Sequence, residues 1–274
     1  MDSGMSVETL TMGPVIASRD YLFDGQTKTE GNFGGTSGIR RGPAFTAVEI
    51  ATINALIQEK ICTSIRNVSP DMARELDQAG LEDYHQIVSA DVHQQCLSKM
   101  GRILDADAVA EISQTALFDY FRDELGEFFL SDEEQIGRPQ ICFRIVRPNE
   151  PRDTGTLHRD TWFWEHFNFT RPKGYGRIKC WTQVSGDPDM SGLLLVPQSH
   201  LRNVGYRTEM VDGKLGFVQE FPIDESQLKR YDGKLGEPVI FNHDTLHVGA
   251  LNKGSRSRVS FEFTIVFKEQ NSGE

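Results

Sequence analysis

The sequence predicts an α+β chain in which helices pack on a double-stranded β-helix, the jelly-roll or cupin-like barrel. Three observations predict it. Apolar residues recur at helical spacing through residues 45–137, they alternate with polar residues from 138 to 267, and turn residues separate the alternating runs. Helices followed by many short strands are typical of this class. We therefore expect one domain over residues 45–274, with helices in 45–137 and the jelly-roll core in 138–267.

The first 44 residues show little periodicity, and the stretch 31–42, GNFGGTSGIRRG, is rich in glycine. One interpretation is a flexible N-terminal arm. The other is a lid that folds over a site when ligand is present. Both stay open at this point.

The first helix is predicted to begin at Thr46. Glu49 follows three residues later, which is the spacing of a capping box, and an apolar stripe then repeats at helical intervals. The stripe consists of Ile50, Ile53, Ile57 and Ile61. Two more helical stretches are predicted, one near 84–100 and one that starts after Asp105 and carries apolar residues as far as Phe128. These helices are expected to pack on the sheet.

The last strand gives the clearest alternation. Its odd positions are apolar from Val259 to Phe267, and its even positions carry Arg258, Ser260, Glu262 and Thr264. Alternate side chains of a strand point to opposite faces. If the apolar face meets the helices or the opposite layer, the polar face must line either solvent or a wet cavity.

Composition narrows the class of protein. The chain of 274 residues is 38% hydrophobic and 25% charged, which is ordinary globular composition. Its four cysteines form no close pair, so disulfides and a structural zinc site are not expected. The net charge of −11 argues against nucleic-acid or anionic-membrane partners. We expect a cytoplasmic protein with a small-molecule ligand and neither signal peptide nor membrane span.

The stretch 156–164, TLHRDTWFW, contains His158 and Asp160 in an H-x-D arrangement. A single H-x-D is weak, because a chain with seven His and 40 acidic residues holds one by chance about as often as not. If the stretch is extended, His158, Asp160 and Trp162 share one face. A face with this composition is a plausible cavity wall.

A further ligand would have to come from a different strand. The stretch 241–249, FNHDTLHVG, offers His243 and His247, and the apolar run before them favours a strand and turn. It lacks the glutamate of a metalloprotease H-E-x-x-H motif. Two His and one carboxylate form the ligand set of non-haem Fe(II) oxygenases, which leaves three positions on one face for a bidentate co-substrate and dioxygen.

Three separated motifs together resemble the Fe(II)/2-oxoglutarate dioxygenases of the phytanoyl-CoA dioxygenase (PhyH) type. They are LHRD at 157–160, KCWTQVSGDPDMSGLLLVPQSH at 179–200 and GEPVIFNHDTLHVGALNKGSRSR at 236–258. The resemblance covers about residues 138–267. The middle motif is one residue shorter than the family's pattern before its proline, and Gly249 stands where the family often has a serine.

The resemblance implies a role for five residues. His158, Asp160 and His247 would bind Fe(II), and Arg258 would hold the distal carboxylate of 2-oxoglutarate. Trp181 matches a tryptophan that lies near the co-substrate. Arg256 competes with Arg258 for its role, although spacing and strand register favour Arg258.

Substrate contacts are predicted for two aromatic residues. Trp162 shares the parity of Asp160 in an extended strand, and Phe143 would face inward beside that strand. His243 is expected to be a group behind the ligands or exposed.

The implied activity is hydroxylation of an unactivated C–H bond of a small metabolite, with dioxygen as co-substrate and release of succinate and CO2. Desaturation, cyclisation and epimerisation use the same ligands. Halogenating relatives lack the carboxylate that Asp160 retains, so halogenation is not expected. The alternatives are a cupin-type isomerase, a dioxygenase independent of 2-oxoglutarate and a non-catalytic metal-binding protein. The oligomeric state is not predicted.

Overall fold

The computed structural model describes residues 37–98, 100–169, 172–211 and 214–269. Residues 1–36 of the N-terminal stretch lie outside the described residues, and for them both interpretations stay predictions. In the part of the chain that the structure describes, no helix is both long enough and apolar enough to cross a membrane.

Among the described residues, six α-helices precede the main strands, and a seventh lies within the strand region. They are α1 Ala47–Arg66, α2 Pro70–Ala79, α3 Tyr84–Ile87, α4 Ala90–Cys96, α5 Ala106–Ile112, α6 Ala116–Leu125 and α7 Asp160–His166. The capping box at Thr46 is present: Glu49 N–H donates to the threonine hydroxyl, and a Glu49 carboxylate oxygen accepts from Thr46 N–H. The predicted packing helices are thus confirmed.

Three details of the helical region differ from the prediction. The helix predicted near 84–100 divides into α3 and α4, because Val88 between them has an extended backbone. The third predicted helix divides into α5 and α6 and ends before Phe128, because Gly126 has a φ of +75° and terminates α6. The prediction did not include α2. Its signal was Ser69 followed by Pro70: the serine hydroxyl accepts from Met72 N–H, and proline suits the first turn of a helix.

The strands follow the order of the sequence. They are β1 Ile39–Arg41, β2 Phe128–Leu130, β3 Cys142–Val146, β4 Tyr175–Ser185, β5 Leu193–Leu195, β6 Tyr206–Val211, β7 Lys214–Gln219, β8 Lys229–Arg230, β9 Val239–Asn242, β10 His247–Gly249 and β11 Arg258–Lys268.

The larger sheet has the strand order β1-β9-β4-β11-β2, and β3 also pairs with β11. Every pairing in this sheet is antiparallel. A smaller sheet has the order β10-β5-β8, and β6 and β7 form a separate hairpin. The inclusion of β1 corrects the boundary of the expected arm, since residues 39–41 pair with β9 instead of belonging to an irregular segment that reaches residue 44.

The two faces of the larger sheet have different environments. Its outer face packs against the helices in one core that contains Phe261, Phe263 and Ile265 of β11. Its inner face packs against the smaller sheet in a second cluster, in which Trp181 and Phe241 meet Leu193 and Leu195. This arrangement of two facing antiparallel sheets with helices outside is the predicted jelly-roll fold. The parity prediction for β11 is confirmed, because Glu262 and Thr264 line an internal cavity.

The cap of α1 makes a testable contribution to stability. We expect Thr46→Ala to lower the free energy of unfolding by about 1 kcal/mol, because it leaves N-terminal N–H groups of the helix without a partner. Urea unfolding measures the change. Thr46→Ser keeps the hydroxyl and should lose only a small part of that energy; equal losses in both variants would contradict a role for the cap.

Candidate active site

His158 and His247 are brought together by their own backbones. His158 N–H donates to His247 C=O at 3.1 Å, and His247 N–H donates to His158 C=O at 2.9 Å. The pair forms one antiparallel bridge at the start of β10, and the two imidazole rings have centroids 4.4 Å apart. The backbone thus holds the rings of two residues far apart in sequence side by side.

Each of these imidazoles is oriented by a backbone carbonyl. His158 Nδ1 lies 2.7 Å from Thr156 O, and His247 Nδ1 lies 2.9 Å from Thr245 O. A carbonyl only accepts, so Nδ1 carries the proton, and in the neutral imidazole the lone pair is then on Nε2. Metal-ligating histidines are fixed in this way by the group behind them.

Asp160 completes the cluster from the first residue of α7. Its Oδ1 is 3.9 Å from His158 Nε2, and its Oδ2 is 3.9 Å from His247 Nε2. The three ligand atoms lie within 4.8 Å of one another. Asp160 Oδ2 is buried and has no hydrogen-bond partner among the described residues. An unpartnered carboxylate oxygen between two imidazole lone pairs fits a divalent metal ion.

The charges around the cluster favour the forms that bind a metal. Burial favours the neutral form of Asp160, but Lys179, His247 and His158 outweigh it and hold the pKa of the carboxyl below its usual range. Burial, followed by the neighbouring His247, lowers the pKa of His158 to about 4. At neutral pH the site therefore presents an ionised carboxylate and a neutral His158 imidazole.

His243, the other histidine of the 241–249 stretch, lies outside this cluster. Both of its ring nitrogens contact Arg177: Nδ1 lies 3.1 Å from the arginine C=O, and Nε2 lies 3.0 Å from its Nη2. The Arg177 guanidinium also lies over the ring of Trp164 at 4.0 Å. His243 is buried and holds this part of the barrel together.

Arg258 and Arg256 are clearly separated by the structure. Arg258 is 1% exposed and points into the barrel, where its Nη1 donates to Gly192 C=O and its guanidinium lies 5.8 Å from the ring centre of Trp181. The Arg256 side chain is 61% exposed and forms an ion pair with Glu82. Of these two arginines, Arg258 is the one placed to bind a ligand inside the barrel.

Two N–H groups of Arg258 are buried without partners. Its Nε and Nη2 have no hydrogen-bond partner among the described residues. Burial, with the nearby charge of Arg144, lowers the pKa of Arg258 to about 9, so the guanidinium remains a cation at neutral pH. A buried cation with two free donors fits the carboxylate of an anionic ligand.

An internal cavity of about 440 Å³ lies against His158 and Asp160. Its wall includes Asp160, Phe163 and Trp164 on one face of α7, and Phe167, which caps the end of that helix. This spacing is helical, and it corrects the extended conformation expected for residues 160–164. Trp162 consequently points the other way: it is buried and stacks on Tyr206 at 5.3 Å, away from the cavity wall.

Phe143 is also corrected. It belongs to the outer core under the helices, whereas its neighbours Cys142 and Arg144 line the cavity. The signal lay in the register of β3, since Phe143 pairs with the outward-facing Phe261, and Arg144 pairs with the inward-facing Ser260. Sequence reasoning missed the charged side chains of the cavity wall, among them Arg102, Arg144 and Lys179.

The class of protein that this fold and site define is a non-haem iron oxygenase built on a jelly roll. Residues 36–260 match the family model described as phytanoyl-CoA dioxygenase (PhyH). The chain belongs to this family, whose enzymes use Fe(II), 2-oxoglutarate and dioxygen and act on small molecules. No curated protein sequence matches the chain.

Solved structures agree at the level of the fold. The apo form of the non-haem monooxygenase ThoJ is 14% identical, with a TM-score of 0.53 over 85% of this chain and 75% of that chain. EctD from S. alaskensis, solved with 2-oxoglutarate and 5-hydroxyectoine, is 15% identical, with a TM-score of 0.51 over 93% of this chain and 82% of that chain. At such low identity the likeness concerns the fold alone.

Proposed function

We propose that the protein hydroxylates an unactivated C–H bond of a small molecule. In the overall reaction 2-oxoglutarate loses CO2 to give succinate, one oxygen atom of dioxygen enters the succinate, and the other enters the substrate as a hydroxyl group. One observation supports this proposal best: the same jelly roll holds the His158–Asp160–His247 cluster and the unpartnered donors of Arg258.

We assign the iron ligands to His158 Nε2, His247 Nε2 and one oxygen of Asp160. The bound metal would supply the activation of dioxygen. The backbone bridge and the two carbonyls behind the imidazoles set the ligand positions before the metal binds. Because Asp160 occupies the carboxylate position, no ligand site is left for a halide, and hydroxylation is favoured over halogenation.

Arg258 would bind the distal carboxylate of 2-oxoglutarate through Nε and Nη2. Trp181 would form an apolar wall beside it, which keeps water away from the ion pair and strengthens it. Gly249 leaves the room that Arg258 needs, because a Cβ atom at this position would lie 3.3 Å from Arg258 Nη2 and 3.1 Å from Thr154 C=O.

The tight packing at Gly249 gives a prediction. Gly249→Ala should weaken 2-oxoglutarate binding about fivefold or more, because its methyl group pushes the guanidinium out of position at a cost of about 1 kcal/mol. Titration of the metal-loaded protein with 2-oxoglutarate measures the effect. Fe(II) affinity should be unchanged, and an equal loss of Fe(II) affinity would instead show a general distortion of the barrel.

We also propose a cytoplasmic location. All four cysteines are free thiols, and three of them are buried away from any pairing partner. Such use of cysteine fits a reducing compartment.

Anaerobic spectroscopy tests the proposed function without knowledge of the substrate. Addition of Fe(II) and then 2-oxoglutarate to the full chain should produce the weak visible charge-transfer band of the chelate. Admission of dioxygen should then release succinate, slowly, in a reaction that depends on both additions. A protein that binds Fe(II) but gives neither band nor succinate would refute the proposed function.

A further inference from the structure

The cavity beside the metal cluster contains two arginines to which the function proposed above assigns no role. Arg102 precedes the bridge between Ile103 and Cys142, and Arg144 lies two residues further along β3. Both line the same cavity as His158 and Asp160. Their guanidinium groups therefore face the space in which a substrate must lie to reach the metal.

These arginines have few partners. Arg102 Nε is buried without a hydrogen-bond partner among the described residues, and Arg102 forms no ion pair there. Arg144 donates from Nη1 to Asp153 C=O at 3.1 Å, which fixes the side chain, and it forms no ion pair among the described residues. Burial and the charge of Arg144 lower the pKa of Arg102 to about 10, so Arg102 remains a cation at neutral pH.

The carboxylates nearest this pair, Glu262 for both arginines and Glu134 for Arg102, act on it electrostatically, but within the described residues none forms an ion pair with Arg102 or Arg144. Glu133 lies 3.7 Å from Lys179 Nζ and also accepts from the hydroxyl of Thr264. The two guanidinium groups are close enough to repel each other, and a carboxylate that accepts hydrogen bonds from both would relieve this repulsion.

We propose that Arg102 and Arg144 bind a carboxylate group of the substrate, and that the protein therefore oxidises an organic acid. The proposal rests on the function proposed above, and it deepens that function by naming the substrate class. Planar guanidinium groups recognise carboxylates through paired hydrogen bonds, which fix orientation as well as supplying affinity.

The apolar part of the cavity wall indicates what the rest of the acid is like. Phe163, Trp164, Phe167 and Phe217 line it, together with Leu215. When the two arginines bind the carboxylate, the apolar remainder of the acid lies against these side chains. Its C–H bonds then lie beside the metal cluster. A few polar groups that fix a ligand within an otherwise apolar pocket are typical of small-molecule sites.

The experiment compares acids with their own amides. The probes are 3-phenylpropanoate, cyclohexanecarboxylate and N-acetylphenylalaninate, each paired with its primary amide, which has nearly the same shape and no charge. They are titrated into the full chain loaded with Mn(II) and 2-oxoglutarate, so that Arg258 is already occupied. We expect at least one acid to bind about tenfold or more tightly than its amide.

The variants Arg102→Met and Arg144→Met should each reduce that preference at least about fivefold. Arg256→Met removes an exposed arginine and is the matched control, with the preference unchanged. If Arg102→Met fails to fold, Arg102→Lys takes its place in the test. Lysine keeps the positive charge but lacks the planar guanidinium, so this variant should keep only part of the preference. Equal binding of all acids and amides, or a preference that survives in both methionine variants, would overturn the proposal.

Failure of the proposed function is distinguishable from failure of this inference. If the wild-type protein gives no charge-transfer band, the proposed function fails, and the acid preference is then measured on the metal-free chain. A preference that disappears only in Arg258→Met would assign the acid to the Arg258 pocket, and would overturn the role of Arg102 and Arg144 alone.

Discussion

Asp160→Ala is expected to abolish Fe(II)-dependent succinate formation and to weaken Fe(II) binding at least a hundredfold. Groups that only support a metal ligand typically contribute about 10–100-fold in affinity, so removal of the ligand itself should exceed that range. The overall fold should persist, because the bridge between His158 and His247 is made by the backbone and does not involve the carboxylate. Metal titration, succinate assay and circular dichroism measure the three effects.

Glu165→Ala is the matched control for this variant. Glu165 lies on the same helix, is exposed, and carries the same charge. Its loss should leave metal affinity and succinate formation unchanged. If Asp160→Ala still binds Fe(II) as tightly as the wild-type protein, the assignment of Asp160 as a ligand is wrong.

Arg258→Met should raise the dissociation constant of 2-oxoglutarate at least about thirtyfold. Loss of one partner of a buried, hydrogen-bonded charge pair typically costs about 2–5 kcal/mol, and the lower value corresponds to about thirtyfold. Methionine roughly fills the apolar part of the space that the arginine occupies beside Trp181. Fe(II) affinity should change only a few-fold, which separates loss of co-substrate from loss of metal.

The control for Arg258 is Arg256→Met. Arg256 is its closest arginine in sequence, but its side chain is exposed and paired with Glu82. We expect no change in 2-oxoglutarate affinity. A larger loss of 2-oxoglutarate affinity in Arg256→Met than in Arg258→Met would contradict the assignment of Arg258 as the residue that binds the co-substrate.

Those parts of the fold that depend on local pattern were predictable. The capping box of α1 and the alternation of β11 are written in adjacent residues, and both are present in the structure. The strand β1 was not predicted, because three residues that follow a glycine-rich stretch carry no pattern of their own. They become a strand only through pairing with β9.

The residues of the candidate site that belong to motifs were predictable, but the directions in which neighbouring side chains point were not. His158, Asp160 and His247 were singled out by type, spacing and family resemblance, and the structure brings their side chains together. The direction of Trp162 depends on whether the chain turns helical at Asp160, which short-range alternation could not reveal. The inward direction of Arg144 depends on the register of β3 against β11.

The central claim is that two imidazoles and one carboxylate hold a single ion while Arg258 holds the far end of 2-oxoglutarate. A crystal structure of the full chain grown with Mn(II) and 2-oxoglutarate without oxygen tests it most directly. We predict one ion in contact with His158 Nε2, His247 Nε2 and Asp160, chelated by 2-oxoglutarate, whose distal carboxylate contacts Arg258. An ion bound elsewhere, or 2-oxoglutarate bound away from Arg258, would contradict this account.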